Sequence, residues 1–348
     1  MRTYDVFQQA AGVGVAGKTT TIDLDTSRAT RFLMVTVSAT MTIAVAVAAA
    51  VRNLGSVPSI VDRIRLSESG LDTGIGDLRL FGFASDYLKG QVGSRVRQTS
   101  LAVGATNLIE RILIPFERVQ AALPKETRYR VRDPGNRFQL NFDIDPLPDQ
   151  RILTPGGGGS TQVFSNIALN VRQYTAEPND ADLPVFAPRW REQIVQVPGA
   201  SAALRHELDV GSDHIRGITI AQETVTTGLV TDIIKNFQLR NDREIFIGES
   251  GLVSWPEYAA DKEFFSSGDV FASNGGSMMH LDFQENGRLS NLIGPSNAAG
   301  RLRLIFDAQP SASAGASQIR TLLHALTRDV PVSPTGRKVV SPSIPFPV

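Results

Sequence analysis

The chain of 348 residues contains no cysteine, which excludes disulfide scaffolds, thiolate metal sites and cysteine nucleophiles. Histidine is scarce: His206, His214, His280 and His324 are the full set. None stands in an H-E-x-x-H zinc pattern, and no G-x-S-x-G turn presents a serine nucleophile. Net charge is also missing, with 35 Lys and Arg against 35 Asp and Glu. That balance argues against a strongly basic nucleic-acid binder and against an acidic tail protein. The opening residues, MRTYDVFQQAAG, have no basic stretch followed by an apolar one, so they do not read as a secretory signal. One uncharged run, residues 32–51, approaches membrane-span length. Its Val35, Val37, Ala39, Met41, Ile43, Val45 and Val47 alternate with small or hydroxyl residues, a period of two that favours one or two strands over a helix.

What is present is hydrophobic residue at 42%, enough to build real cores, in a chain long enough for about two domains. Arginine far outnumbers lysine. That bias suits ion pairs between subunits, although a GC-rich genome explains it better. Strand-like runs dominate, at residues 19–24, 61–66, 77–83, 108–116, 138–144, 163–174, 215–220, 233–239, 278–283 and 301–306. Gly, Pro, Asn, Asp and Ser separate them at spacings typical of β-sandwiches. Residues 257–265 fit a short helix, and residues 317–328 fit either a helix or a strand. Residues 177–191, with three prolines, form a natural connector. The proline-spaced residues 331–348 form an extended arm, and Gly156–Ser160 (GGGGS) a flexible hairpin loop of natural or introduced origin. The chain therefore divides into an N-terminal arm (1–17), a first β-sandwich (18–176), a linker (177–191), a second β-sandwich (192–330) and a C-terminal arm (331–348).

Several motifs invite a chemical reading. Gly12 to Thr19 (GVGVAGKT) matches G-x-x-x-x-G-K-T, the loop that wraps phosphates with backbone N–H groups between a strand and a helix. The polar residues before it and the β-branched, alternating Thr19-Thr20-Thr21-Ile22 after it disfavour that context, and a glycine-rich arm entering a strand fits better. Leu304-Ile305-Phe306-Asp307 resembles the strand that carries the metal-binding aspartate of such enzymes, a common string. His280 and Asp282 share one strand face, whereas Asp213 and His214 point differently. Carboxylates gather at Asp143, Asp145 and Asp149, and again at Asp180 and Asp182. They are candidate ligands for a structural Ca²⁺, and turn formation explains them equally well. Trp190, Trp255 and Tyr258 fit either a sugar platform or anchors of a core or interface. No residue is assigned a catalytic or cofactor-binding role, and the chain does not read as an enzyme.

The two halves repeat in order. Val61 to Leu66 answers Ile215 to Ile220, Thr73-Gly74-Ile75 answers Thr227-Gly228-Leu229, and Phe83 answers Phe237. Gln139 to Phe142 answers His280 to Phe283, and Ile167 to Val171 answers Leu302 to Phe306. This order, the HLDFQENGRLS segment at 280–290, RLRLIFD at 301–307 and the proline-rich tail resemble the double jelly-roll major capsid proteins of tailless, icosahedral, internal-membrane-containing bacteriophages, members of an adenovirus-like viral lineage. The resemblance covers roughly residues 18–330 and lies in pattern. It implies an all-β fold of two tandem eight-stranded antiparallel jelly rolls standing upright on a shell, with few short helices and extended termini. It further implies trimeric, pseudo-hexameric capsomers that assemble in the host bacterial cytoplasm into a virion capsid. The implied partners are neighbouring capsomers, penton and minor capsid proteins and an internal lipid membrane, with no sequence-specific nucleic acid. Residues 12–17 and the tail are the segments expected to order between capsomers. A two-domain carbohydrate-binding or host-attachment protein, spike-like or lectin-like, is the alternative that the same sandwiches allow.

Overall fold

The computed structural model describes residues 6–43, 60–88, 104–117, 128–129, 131, 135–146, 162–175, 186–225, 228–258, 277–283, 292–294 and 301–328. In chain order the first half holds β1 (Val6–Val13), β2 (Thr19–Leu24), β3 (Thr30–Ile43), β4 (Val61–Glu68), β5 (Leu71–Gly76), α1 (Leu78–Leu88), β6 (Gly104–Pro115), β7 (Phe138–Ile144) and β8 (Gln162–Thr175). The second half holds β9 (Phe186–Gln196), β10 (Ser201–Glu207), β11 (His214–Thr224), β12 (Gly228–Leu229), β13 (Ile234–Arg240), β14 (Ile245–Ile247), β15 (Val253–Ser254), β16 (Met278–Asp282), β17 (Arg303–Ala308) and β18 (Ser317–Arg328).

Period-two patterning produces these strands. In β7, Phe138, Leu140, Phe142 and Ile144 are buried and the residues between them are half-exposed. In β3, Leu33, Val35, Val37, Ala39 and Met41 point inward and Thr36, Ser38 and Thr40 outward. Facing rows of this kind pack into a dry core between two sheets.

The pairing is nested. β1 pairs with β8, β2 with β7, β3 with β6 and β4 with β5, all antiparallel. A long antiparallel ribbon of four strand pairs has thus been rolled into two facing sheets, β1-β8-β3-β6 and β2-β7-β4-β5, which is the construction of a jelly roll. The second half repeats it: β9 with β18, β10 with β17, β11 with β16, and β13 with β14 and β15. The chain is therefore a double jelly roll. One sheet of each half is fused to the other through a parallel bridge, Gly74 opposite Trp190, making a nine-stranded sheet that spans both halves. A four-stranded sheet remains to the first half and a five-stranded sheet to the second.

The structure revises several expectations. Residues 77–83 are not a strand: Asp77 caps α1, its Oδ1 accepting from the Arg79 N–H at 2.8 Å. Residues 317–328 are a strand, β18. The stretch read as an N-terminal arm contains β1, the first strand of the first jelly roll, and the stretch read as a linker runs into β9, the first strand of the second. The internal repeat is present but was aligned one strand out of step. The nested pairing makes β4 the counterpart of β13, β7 of β17 and β8 of β18, whereas the sequence alignment set β4 against β11 and β8 against β17. Amphipathic strands resemble their neighbours as closely as their true counterparts, so order alone could not fix the offset. Of the run at 32–51, residues up to 43 form β3, and the remainder lies outside the described residues, as do Gly156–Ser160 and residues 331–348.

Candidate functional site at the seam between the halves

Strands β11 and β18 are buried on both faces: residues 215–224 and 317–326 are buried without interruption. One face of each lies on its own sandwich core, where Gln222 Oε1 accepts from the N–H groups of Ile233 and Ile234 and His206 Nε2 meets Thr321 Oγ1 at 2.9 Å. The other face meets the first half through α1 and the end of β5. Cross-strand register sets which side chains share that second face: Trp190 on β9 with His324, Glu192 with Leu322 and Thr219, and Gln318 with Glu223.

Glycine allows the approach. A Cβ on Gly74 would stand 2.7 Å from Trp190 Cε3, and one on Gly76 would stand 2.6 Å from Leu322 Cδ1. Trp190 then packs edge-on against Phe81 and Phe116, with ring centroids 5.4 and 5.2 Å apart. Arg216 of β11 reaches across to donate to the carbonyls of Phe116 and Pro115 at 3.1 and 3.2 Å.

Beside this aromatic joint lies a buried charge cluster. Arg79 of α1 pairs with Asp77 and, at 3.0 Å, with Glu223 of β11. Arg320 of β18 pairs with Glu223 at 2.9 Å, with Asp77 at 3.7 Å and with Glu192 of β9. Gln318 Nε2 donates to Glu223 at 2.6 Å. Burial alone would push the carboxyls of Asp77 and Glu223 up, but the two guanidinium groups hold both below the usual carboxylate range. Arg79 and Arg320 lie among three carboxylates, and Arg63 also acts on Glu192. Burial raises it, Asp77 adds to the rise, Arg320 opposes it without cancelling it, and its Oε2 has no hydrogen-bond partner among the described residues. A second buried polar contact joins β11, β16 and β18: Thr219 Oγ1 lies 2.9 Å from both His280 Nδ1 and His324 Nε2. A hydroxyl has one proton, so when it donates to one imidazole it accepts from the other. Burial, with the neighbouring His280 and Arg216, holds His324 well below the ordinary histidine range, so its ring is neutral.

The residues singled out in the sequence fall as follows. Asp143 pairs with Arg65 at 2.8 Å and accepts from Thr19 Oγ1 at 2.6 Å. Burial works against its charge, and Arg65 and Thr19 nevertheless hold its pKa down. Asp145 is buried, its N–H donating to the Ile60 carbonyl. Asp149, Asp180 and Asp182 lie outside the described residues, and among the described residues no three His, Asp or Glu side chains gather as a metal would need. The Gly12–Thr19 motif is strand, turn and strand. Its N–H groups at Gly14, Gly17 and Lys18 already donate to the carbonyls of Ile167, Ile144 with Asp145, and Val15, leaving none of these three for a phosphate. Asp213 accepts from Arg191 and Thr327. Trp190 and Trp255 are 3% and 1% exposed, which makes both anchors rather than a sugar platform. The charge cluster escaped the sequence reading because its members span three elements of the second half and one of the first. The available signal was a lone Glu223 and a lone Arg320 inside otherwise apolar or neutral runs.

No family model matches the chain, and no curated protein matches it by sequence. Solved structures do. The major capsid protein of Sulfolobus Turreted Icosahedral Virus (STIV) is 14% identical, with a TM-score of 0.65 over 92% of this chain and 97% of that one. The major capsid protein of Bacteriophage PM2 is 11% identical, with a TM-score of 0.55 over 92% and 97%. The capsid structure of PBCV-1 virus gives 8% identity and a TM-score of 0.59 over 94% and 95%. The similarity runs nearly end to end on both sides, so it covers both jelly rolls and the way they are joined.

Proposed function

We propose that this protein is a major capsid protein, a structural subunit that builds an icosahedral virus shell by associating with copies of itself. The observation that carries the reading is the fusion of two nested jelly rolls through one continuous sheet. It is supported by end-to-end similarity of fold to the STIV and PM2 capsid proteins. The seam fits such a role. A shell subunit must hold two sandwiches at a fixed angle, and a double-faced sheet with a paired charge cluster resists hinging where a flexible linker would not. On this reading the chain is not an enzyme, it acts in the virion, and trimeric capsomers form in the host cytoplasm. Penton proteins, minor capsid proteins and an internal membrane are its further partners. Structural Ca²⁺ forms no part of the proposal, because Asp143 is committed to Arg65 and Thr19. The carbohydrate-binding alternative lacks an exposed indole among the described residues.

The test is the native mass of the purified 37.6 kDa chain by size-exclusion chromatography with light scattering, followed by electron microscopy. A trimer or a shell-sized particle is expected. A chain that stays monomeric at high concentration and across salt conditions overturns the proposal.

A further inference from the structure

Two of the chain's four histidines meet at the seam. Thr219 of β11 stands in register with His280 of β16 and holds His324 of β18 on its other side, both contacts at 2.9 Å. The two rings are edge-on, with centroids 5.2 Å apart, and both residues are buried. Glycine makes the room: a Cβ on Gly217 would stand 3.0 Å from His280 Cε1. The pair belongs to the joint with the first half. His324 lies opposite Trp190 in the β18–β9 register and edge-on to Phe81 of α1, with centroids 6.2 Å apart. Arg216, which acts on His324, holds the Phe116 and Pro115 carbonyls across the seam.

Neutral rings suit this arrangement and charged ones do not. One ring nitrogen donates to the hydroxyl while the hydroxyl donates to the other. A proton added to the accepting ring turns both nitrogens into donors aimed at one oxygen, and the hydroxyl hydrogen loses its acceptor. The new charge is buried beside a second imidazole and a guanidinium. Burial, then His280, then Arg216 each disfavour it at His324, and no carboxylate among the described residues offsets them. The charged groups of the surrounding elements account for that. Asp77 ahead of α1, Arg79 on α1, Glu192 on β9, Glu223 on β11 and Arg320 on β18 are engaged with one another. Arg320 and Glu223 stand four residues, about 13 Å, along their strands from His324 and Thr219. Asp282 shares a strand face with His280 and is half-exposed, so water weakens its reach.

We infer that the His280–Thr219–His324 contact is an acid-sensitive latch on the seam, closed while both rings are neutral and released by protonation, so that α1 lifts from β11, β16 and β18 while each jelly roll stays folded. In the released state the rings meet water and take up protons at the ordinary histidine pKa of about 6.5, so falling pH draws the equilibrium towards release. His206 has no part in it, since its contact with Thr321 lies on the opposite face of β18. The latch is internal to one chain and stands whether or not copies associate.

A cysteine-free chain lets one thiol report on each side of the sheet. Ala221→Cys lies on the seam face of β11, between Thr219 and Glu223, and Ala325→Cys on the face of β18 that meets the second sandwich; both positions are buried. Each is probed from about pH 7.5 to 4.5 with 4,4′-dithiodipyridine, a disulfide that reacts with thiols in acid as well as at neutral pH. Labelling at 221, corrected for the reagent's rate on a free thiol, is expected to rise roughly tenfold or more in acid while labelling at 325 stays slow. His324→Gln or His280→Gln, each of which keeps an N–H for Thr219 and carries no charge, should remove most of the rise, and His206→Gln should leave it in place. Labelling at 221 that does not change with pH overturns the inference. So does an equal rise at both positions, which means global unfolding, and so does a rise that survives both seam histidine replacements. Hydrogen exchange needs no substitution: after correction for the intrinsic effect of pH, α1 should lose protection in acid ahead of β11 and β18. Unchanged protection of α1 overturns the latch.

Discussion

Arg320 and Thr321 are neighbours on β18 that face opposite ways, one into the charge cluster against the first half and the other towards His206 in the second sandwich. Their environments make different demands. Removing Arg320 as Arg320→Ala leaves Glu192 and Glu223 buried with less compensation, and breaking a buried ion network in this way costs about 3–5 kcal/mol. Chemical denaturation should show a fall of that size in unfolding free energy. His206 is pushed down to about 4 by burial, so the folded chain binds its proton less readily than the unfolded chain does. Its contribution is therefore full above the ordinary histidine pKa and is lost as pH falls from about 6.5 towards 4, a span worth roughly 3 kcal/mol. His324 acts in the same direction. Asp77 and Glu223, held below the usual range, contribute above the unfolded carboxylate pKa and fail only as pH drops through their lower folded values. Glu192 runs the other way, since its raised pKa favours the folded state in acid and that gain disappears as pH rises through it. Stability measured against pH should thus begin to fall below about 6.5, ahead of the carboxylates. His206→Gln, which keeps a donor towards Thr321, should flatten that first limb. A stability curve that stays level down to the carboxylate range contradicts this assignment.

At the scale of elements, the strands were legible wherever one face is wet. β2, β4 and β7 alternate, and their positions could be read directly. Legibility failed where burial is two-sided. Leu322 and Leu323 sit side by side in β18 because each faces a different core, and the same apolar string satisfies helical spacing. Helix α1 was misread for a related reason. Leu78 and residues 80–84 are all buried, so this stretch of the helix has almost no polar face to reveal its period, and Leu78, Leu80 and their neighbours pass for an alternating strand. Of the seam glycines, Gly74 enters the sequence reading only as a repeat marker and Gly76 not at all, because close approach of another element leaves no trace in sequence. Gly76→Val tests that approach. Its added carbons must displace Leu322 and Phe81, an overpacking expected to cost about 1–3 kcal/mol. Gly199→Ala, which meets nothing within 4 Å, should leave the melting temperature unchanged.

The whole molecule behaves as one unit in this structure, because the outer face of the second half's β9-β18-β11-β16 sheet is also the surface on which α1 rests. Undocking would expose apolar side chains such as Trp190 and Leu322 together with the ion cluster. Scanning calorimetry should therefore show one cooperative transition for the two jelly rolls, and two well-separated transitions would refute the fusion. The overall class, all-β in two like halves, was readable from composition and spacing. How the halves join was not, since it depends on contacts between residues far apart in the chain: the bridge between residues 74 and 190, the Trp190 packing, and the Arg79–Glu223 and Arg216–Phe116 contacts.

The place of β18 has a consequence for synthesis. It is the final described strand in the chain, yet it lies between β9 and β11 inside the nine-stranded sheet. A ribosome that stops before Ser317 releases a polypeptide in which β9 and β11 have no common neighbour, and since both run antiparallel to β18 they lose the partner that holds them in one sheet. Translation must run through this strand before the second half can close. A prematurely terminated product is left with open, sticky edges for chaperones and proteases to find.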